Sequence, residues 1–255
     1  MSTLTGKAAF VTGGAQGIGK AICKAFLEKG IKVCIADLDV DTGNTTLHEL
    51  QNTHGDKNVI FQKCDVTNES EFEAALLNAK STFGRLDILV NNAGIAGEKL
   101  WRKLVEVNIV GTIQGTHLAF KHLSNDKGQK DGTMVIVASS IAGIKSPPVA
   151  PVYTATKHAL VGFVTCWGHE SNVSKTGVKV NAVLPDATDT VLAQNVILNS
   201  VNDEMAHHLA KGFQLIQPET VAKAYVQLLE EDVSGKLLVV GPEGLHYEPH
   251  DLYGL

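Results

Sequence analysis

Thr12-Gly13-Gly14-Ala15-Gln16-Gly17-Ile18-Gly19 is the stretch on which the reading of the fold turns. It follows an apolar run, Lys7 to Val11, and leads directly into an amphipathic segment, Gly17 to Lys29. Strand, glycine-rich turn and helix in that order put glycines where the backbone must turn tightly and approach a ligand closely. The helix that follows begins with free N–H groups and the positive end of its dipole, which suit a pyrophosphate. The stretch therefore reads as a dinucleotide-binding turn near the start of an α/β chain.

Outward from that turn, strand-like runs recur at Lys32 to Ala36, Val59 to Gln62, Leu86 to Val90, Thr133 to Val137, Lys179 to Leu184 and Lys236 to Val240. Between them, Glu69 to Phe83, Leu100 to Leu123, Tyr153 to Asn172 and Glu219 to Glu230 have helical length and periodicity. With Lys7 to Val11, this alternation predicts a doubly wound α/β Rossmann fold with a seven-stranded parallel sheet flanked by helices. No repeat, low-complexity tract or linker divides the chain, so residues 1–255 are expected to form one domain. Two irregular segments, Ile141 to Val152 and Pro185 to Gln217, follow strand C-terminal ends, where open α/β sheets bind ligands. A substrate loop is expected at about 185–217.

The composition narrows the classes. Apolar residues make up 44% of the chain, and no run approaches the ~20 apolar residues of a membrane span. Met1 to Lys7 lacks the features of a secretory signal, so a cytoplasmic protein is expected, with no membrane partner. The net charge of −5 without a basic cluster gives no electrostatic footprint for nucleic acid. Cys23, Cys34, Cys64 and Cys166 are scattered through apolar-looking segments and read as reduced core thiols. His207-His208 points two ways on a helix and has no third ligand at a suitable spacing, so no metal site is expected.

The second strand ends at Asp37, about where an acidic residue accepts hydrogen bonds from an adenosine ribose, although aspartate is also a common turn former. No Arg or Lys stands at Ala15, Gln16, Leu38 or Asp39 to receive a 2′-phosphate, so NAD is the expected cofactor. The chemistry is read from Tyr153 and Lys157, four residues apart and so on one helix face. A lysine ammonium there can favour the phenolate of a tyrosine whose ordinary pKa is ~10. Such a pair suits proton transfer at an alcohol or carbonyl. Asn108 falls mid-helix, where asparagine is a poor helix former. Either a local kink holding a water or a side chain bonded to its own helix follows.

Taken in order, the G-x-x-x-G-x-G turn, Asp37, Asp65, Asn91-Asn92-Ala93-Gly94, Asn108, Ser140, Tyr153 and Lys157 resemble the short-chain dehydrogenase/reductase family over nearly the whole chain. Ser140 stands thirteen residues before Tyr153, the family's spacing, which assigns it rather than Ser139 to the reaction. The resemblance implies a catalytic set of Asn108, Ser140, Tyr153 and Lys157. It also implies cofactor contacts from Gly13, Gln16, Gly17, Ile18, Gly19, Asp37, Leu38, Cys64, Asp65, Val66, Asn92, Ala93, Gly94, Tyr153, Lys157, Pro185, Thr188 and Thr190. In Pro185-Asp186-Ala187-Thr188, Asp186 replaces the family's glycine, adding a Cβ and a negative charge near an anionic cofactor. Phe83 to Val90, Gly97 to Trp101, Pro151 to His158 and Gly244 to Tyr247 resemble the hydroxyprostaglandin dehydrogenase branch, and the length and layout are also similar to insect-type alcohol dehydrogenases.

Hydride transfer between NAD and an alcohol or ketone is the implied activity, with a homodimer or homotetramer implied by analogy. Short-chain, steroid and retinoid alcohols stay open, as does a weakly catalytic NAD-sensing role. Ile144, Pro147, Val149, Val191, Leu192, Ile197, Leu209 and Phe213 offer an apolar wall for a lipophilic secondary alcohol. Trp101 and Trp167 read as packing or subunit contacts.

Overall fold

The computed structural model describes residues 4–123 and 133–250. Met1–Thr3 of the N-terminal segment read above, and the last residues of the expected 1–255 domain, lie outside them. Among the described residues, eight strands form one sheet: β1 (Ala8–Thr12), β2 (Lys32–Asp37), β3 (Val59–Lys63), β4 (Ile88–Asn91), β5 (Met134–Ala138), β6 (Lys179–Pro185), β7 (Leu237–Gly241) and β8 (Gly244–Tyr247). Their order is β3-β2-β1-β4-β5-β6-β7-β8. β1 to β7 pair in parallel, and the direction of winding reverses between β1 and β4. Every residue of β1 and β4 is buried, as strands covered on both faces must be.

The expected seven-stranded parallel sheet is therefore corrected by one antiparallel strand. β8 returns along β7 around a short turn, with Gly241 opposite Gly244 and Leu238 opposite Tyr247. No helix separates the two, so only an antiparallel return is possible.

The helices are α1 (Gly17–Glu28), α2 (Val40–His54), α3 (Glu69–Phe83), α4 (Trp101–Val105), α5 (Thr112–His122), α6 (Pro151–Trp167), α7 (Glu170–Thr176), α8 (Val191–Leu198), α9 (Asp203–Ala210) and α10 (Pro218–Glu231). α2 has no counterpart in the periodicity reading because only Gly43, Thr46 and Leu50 of its length are buried. It starts where the Asp39 carboxylate accepts the Thr42 N–H at 3.0 Å. The single helix expected over 100–123 is two helices joined by a wide π-helical turn, Glu106–Gly111, that contains Asn108. The loop expected at 185–217 carries α8 and α9.

Alternate residues of β1 enter two cores, one on each face of the sheet. Ala9 and Val11 pack with α1 and α10, and Ala8 and Phe10 with α3, α5 and α6. A third, smaller cluster surrounds Tyr153. Cys23, Cys34 and Cys64 are core thiols as expected, whereas Cys166 is exposed on the outer face of α6. Among the described residues, no helix is long and apolar enough to cross a membrane.

Candidate active site

The C-terminal ends of β1 and β4 meet at the reversal point of the sheet. Thr12 ties them: its hydroxyl donates to the Val90 carbonyl at 3.2 Å and accepts the N–H groups of Asn92 and Ala93, each at 3.0 Å. The Asn92 amide returns the bond to the carbonyls of Thr12 and Gly13 at 2.9 and 3.0 Å. Gly13 has φ +62°, and a Cβ there would stand 2.9 Å from the Ala93 Cα, so only glycine fits. Asn91 holds the other side, donating to the Thr112 carbonyl and the Thr116 hydroxyl.

α1 begins beyond this turn without a side-chain cap and without an acidic residue in its first turn. α2, α3, α8 and α9, by contrast, each have a capping oxygen from Asp39, Asn68, Thr190 or Asn202. The uncapped N–H groups and dipole of α1 thus remain for an anionic ligand. Asp37 stands beside it, with one carboxylate oxygen on the Ala15 N–H at 3.0 Å and the other on the Asp39 N–H at 3.1 Å. Each oxygen keeps a further lone pair for a hydroxyl. From above, Thr190 approaches to 3.3 Å of where a Gly17 Cβ would be. The glycine turn, Asp37, Asn92, Ala93 and Thr190 therefore form one cradle that fits a dinucleotide, with no basic residue at 15, 16, 38 or 39.

Other expected contacts are disposed differently. The Asp65 carboxylate is held by the Thr67 hydroxyl and N–H at 2.7 and 2.9 Å, which keeps its pKa below the usual range. Val66 is buried with its carbonyl taken by Gln114 at 2.7 Å, and Leu38 is exposed. Cys64 and Ile18 are turned to the core. Thr188 is buried, its hydroxyl donating to the Asp186 carbonyl at 2.8 Å, and Pro185 ends β6 opposite Val240. Asp186 adopts no left-handed backbone. Its carboxylate accepts the Ala187 N–H at 2.7 Å, so the loop accommodates aspartate where glycine was expected.

Beyond the end of β5, Ser140, Tyr153 and Lys157 come together. The Ser140 hydroxyl accepts the Ala142 N–H at 3.1 Å and stands near enough to the Tyr153 phenol to favour its charged form. Ser139 supports the strand end by donating to the Lys157 carbonyl at 3.1 Å. The Lys157 ammonium lies 5.5 Å from the Tyr153 ring centre and donates to the Ala138 carbonyl at 2.8 Å. Burial pushes the phenol up to about 12, opposed by the Ser140 hydroxyl. Burial also draws the lysine down to about 8. At the phenol burial outweighs the Ser140 contribution, and the Lys157 ammonium is directed at the Ala138 carbonyl.

Asn108 is 1% exposed and its amide is fully engaged. Its oxygen accepts the Ile95 N–H at 2.9 Å, and its nitrogen donates to the Ile95 carbonyl at 3.0 Å and the Thr156 hydroxyl at 3.2 Å. Thr156 in turn donates to the Tyr153 carbonyl at 2.7 Å. Asn108 therefore bonds across to the β4 loop and α6 and not to its own helix. Gly94 joins the two halves of the site, since its Cβ would lie 3.4 Å from the Asn108 Oδ1 and 3.9 Å from the Lys157 Nζ. The roles of Thr12 and Thr156 have no signal in the sequence because each acts through a contact with no fixed spacing.

Of the expected apolar wall, Val149, Leu192, Ile197 and Leu209 pack in the cluster around Tyr153. Ile144 packs against the core beneath, and Val191 and Phe213 are exposed. Trp167 packs against Phe120 with ring centres 4.6 Å apart and planes tilted by 50°, while Trp101 is half exposed with Arg102 over its ring.

A nucleotide cradle at the sheet's reversal point, with a buried Tyr and Lys and a half-buried Ser beside it, defines an oxidoreductase of the dinucleotide-dependent type. The chain matches the short chain dehydrogenase family over residues 7–200 and belongs to that family. It is 32% identical to the 15-hydroxyprostaglandin dehydrogenase [NAD(+)] of Mus musculus, covering 98% of this chain and 95% of that one. The Homo sapiens enzyme of the same name is also 32% identical, with 97% and 96% covered. A 3-ketoacyl-(acyl-carrier-protein) reductase from Brucella melitensis, solved with NADH, superposes with a TM-score of 0.80 at 26% identity, covering 93% of this chain and 98% of its own.

Proposed function

We propose that this chain uses NAD to oxidise the carbinol carbon of a lipophilic secondary alcohol, or reduces the corresponding ketone. The observation that carries the reading is the group of buried Tyr153 and Lys157 with half-buried Ser140, standing past the end of β5, across Gly94 from the dinucleotide cradle. In this reading Gly13, Gln16, Gly17, Ile18 and Gly19 hold the pyrophosphate and Asp37 the adenosine ribose. Thr188 and Thr190 close over the cofactor. Bound NAD supplies the hydride acceptor and a positive charge at the nicotinamide ring. Tyr153 as phenolate takes the hydroxyl proton, and Ser140 orients the substrate oxygen by a hydrogen bond. Lys157 favours the phenolate and reaches the nicotinamide ribose. Asn108 keeps the β4 loop and α6 in register with that group.

The apolar cluster of Val149, Leu192, Ile197 and Leu209 supports a lipophilic substrate entering under the segment 185–217. The identity to hydroxyprostaglandin dehydrogenases over nearly the full chain supports the same class. We further propose one domain, a cytoplasmic location and a homodimer or homotetramer. Mixing the protein with NAD and a panel of secondary alcohols, and following NADH absorbance, tests the activity. Turnover is expected with the longer apolar alcohols, and its absence across the panel with normal NAD binding would overturn the reading. Tyr153→Phe is expected to abolish turnover and preserve NAD affinity, and retained activity would remove Tyr153 from the proton path.

A further inference from the structure

The first turn of α6, which carries Tyr153, has no cap of its own, because Ala150 precedes it and offers no side-chain acceptor. Pro151 lacks an N–H, and the Thr154 N–H reaches the Ala150 carbonyl at 2.9 Å. The orphan donors of that turn are then those of Val152 and Tyr153. One side chain from a distant part of the chain takes both. The Glu98 Oε2 accepts the Val152 N–H and its Oε1 the Tyr153 N–H, each at 3.0 Å. The Glu98 N–H donates to the Asn199 carbonyl at 2.9 Å, in the connection between α8 and α9. A second bond joins the same regions, from the Val201 N–H to the Val149 carbonyl at 3.0 Å.

We infer that Glu98 is a positioning residue: its two-armed carboxylate fixes Tyr153 against Ser140 and couples the first turn of α6 to the segment between α8 and α9. The inference rests on the reading of Tyr153 as the general base. A carboxylate is needed because both arms must accept and because a negative charge is favoured at a helix N-terminus. Glutamine would turn one arm into a donor facing an N–H. The coupling gives the apolar segment that meets a substrate a covalently short route to the proton-transfer group, through one residue.

The test measures turnover of the wild type, Glu98→Gln and Glu98→Ala with NAD and a responding secondary alcohol. It adds NAD affinity by calorimetry and amide hydrogen exchange. We expect kcat to fall roughly ten- to a hundredfold with NAD affinity unchanged, since misplacement of a catalytic group acts on the chemical step. Exchange is expected to rise in peptides covering 150–157 and 196–202 and to stay unchanged in α10. Glu98→Asp, which keeps two acceptors on a shorter arm, is expected to recover part of the loss. Wild-type kcat in both variants, or exchange raised equally in α10, would overturn the inference and leave Glu98 an ordinary structural contact. If the wild type itself turns over no alcohol, the proposed function fails instead. The exchange data then judge the positioning on their own, with unchanged protection at 150–157 and 196–202 refuting it. Glu98→Gln keeps the residue's size and serves should the alanine variant fail to fold.

Discussion

Lys157 is 6% exposed, and burial lowers its pKa from 10.5 to about 8 in the folded protein. Between those values the unfolded chain binds a proton that the folded chain does not, so stability rises with pH across that window and is lost as pH falls through about 8. Below about 8 the buried ammonium opposes folding by an amount on the order of 3 kcal/mol. Lys157→Met should remove that opposition and leave the Ala138 carbonyl unpaired, which returns about 1–2 kcal/mol. The variant is therefore expected to melt a few degrees higher than wild type at pH 7, an advantage that disappears above pH ~10.5. Thermal melts across pH check it, and a lower melting temperature at pH 7 would refute the account. The same substitution should abolish turnover, a trade of activity for stability at one residue. Tyr153 titrates in the other direction. Its pKa is raised to about 12, so folding loses stability as pH rises from its ordinary value of 10.0 towards that value.

At the scale of elements, the helix 101–122 departs from regularity where its asparagine is. Asn108 on the wide turn 106–111 holds both backbone groups of Ile95 and the Thr156 hydroxyl, so it joins the β4 loop to α6. Asn108→Ala would strand two partly buried backbone groups, and we expect a loss of about 2–4 kcal/mol in urea unfolding. Asn108→Asp keeps the acceptor for the Ile95 N–H but loses the donor and should fall between. A loss under about 1 kcal/mol for the alanine variant would show that the amide is not the joint proposed. Asparagine's low helix propensity made an irregularity legible at this position, but its direction was not legible, because a kink and a self-bonded side chain predict the same sequence. The cap of α6 shows the same limit more sharply. Local rules look for a Ser, Asp or Asn at the N-cap, and here a glutamate more than fifty residues earlier supplies both bonds. α2 was hidden for the opposite reason: its polar faces mask a short buried stripe, although its Asp39 cap was in plain sight.

At the scale of the whole molecule, the parallel part of the sheet was readable because strands buried on both faces are continuous apolar runs. β8 was not, since its residues are half exposed and short. The nucleotide cradle was legible residue by residue because glycines at a sharp turn and an acid at a strand end answer to backbone geometry and charge. The substrate side was legible only as composition, and the fold decides which apolar residues converge. Val149, Leu192, Ile197 and Leu209 gather around Tyr153, whereas Val191 and Phe213 remain open. This separation makes a prediction about substrate length. Leu209→Ser removes apolar contact from the cluster that contains Tyr153, and burying a leucine-sized surface contributes about 1.5–3 kcal/mol. A substrate that uses only part of that surface should lose about 1–2 kcal/mol, or roughly five- to thirtyfold in kcat/KM. That loss is expected for secondary alcohols long enough to reach α9, while the shortest alcohols, which reach only Tyr153 and Ser140, keep their kcat/KM. Phe213→Ser, outside the cluster, should leave both series unchanged. Equal losses for short and long alcohols in Leu209→Ser would mean that the residue supports the fold of the site, and that the apolar cluster is core and not the wall of a lipophilic pocket.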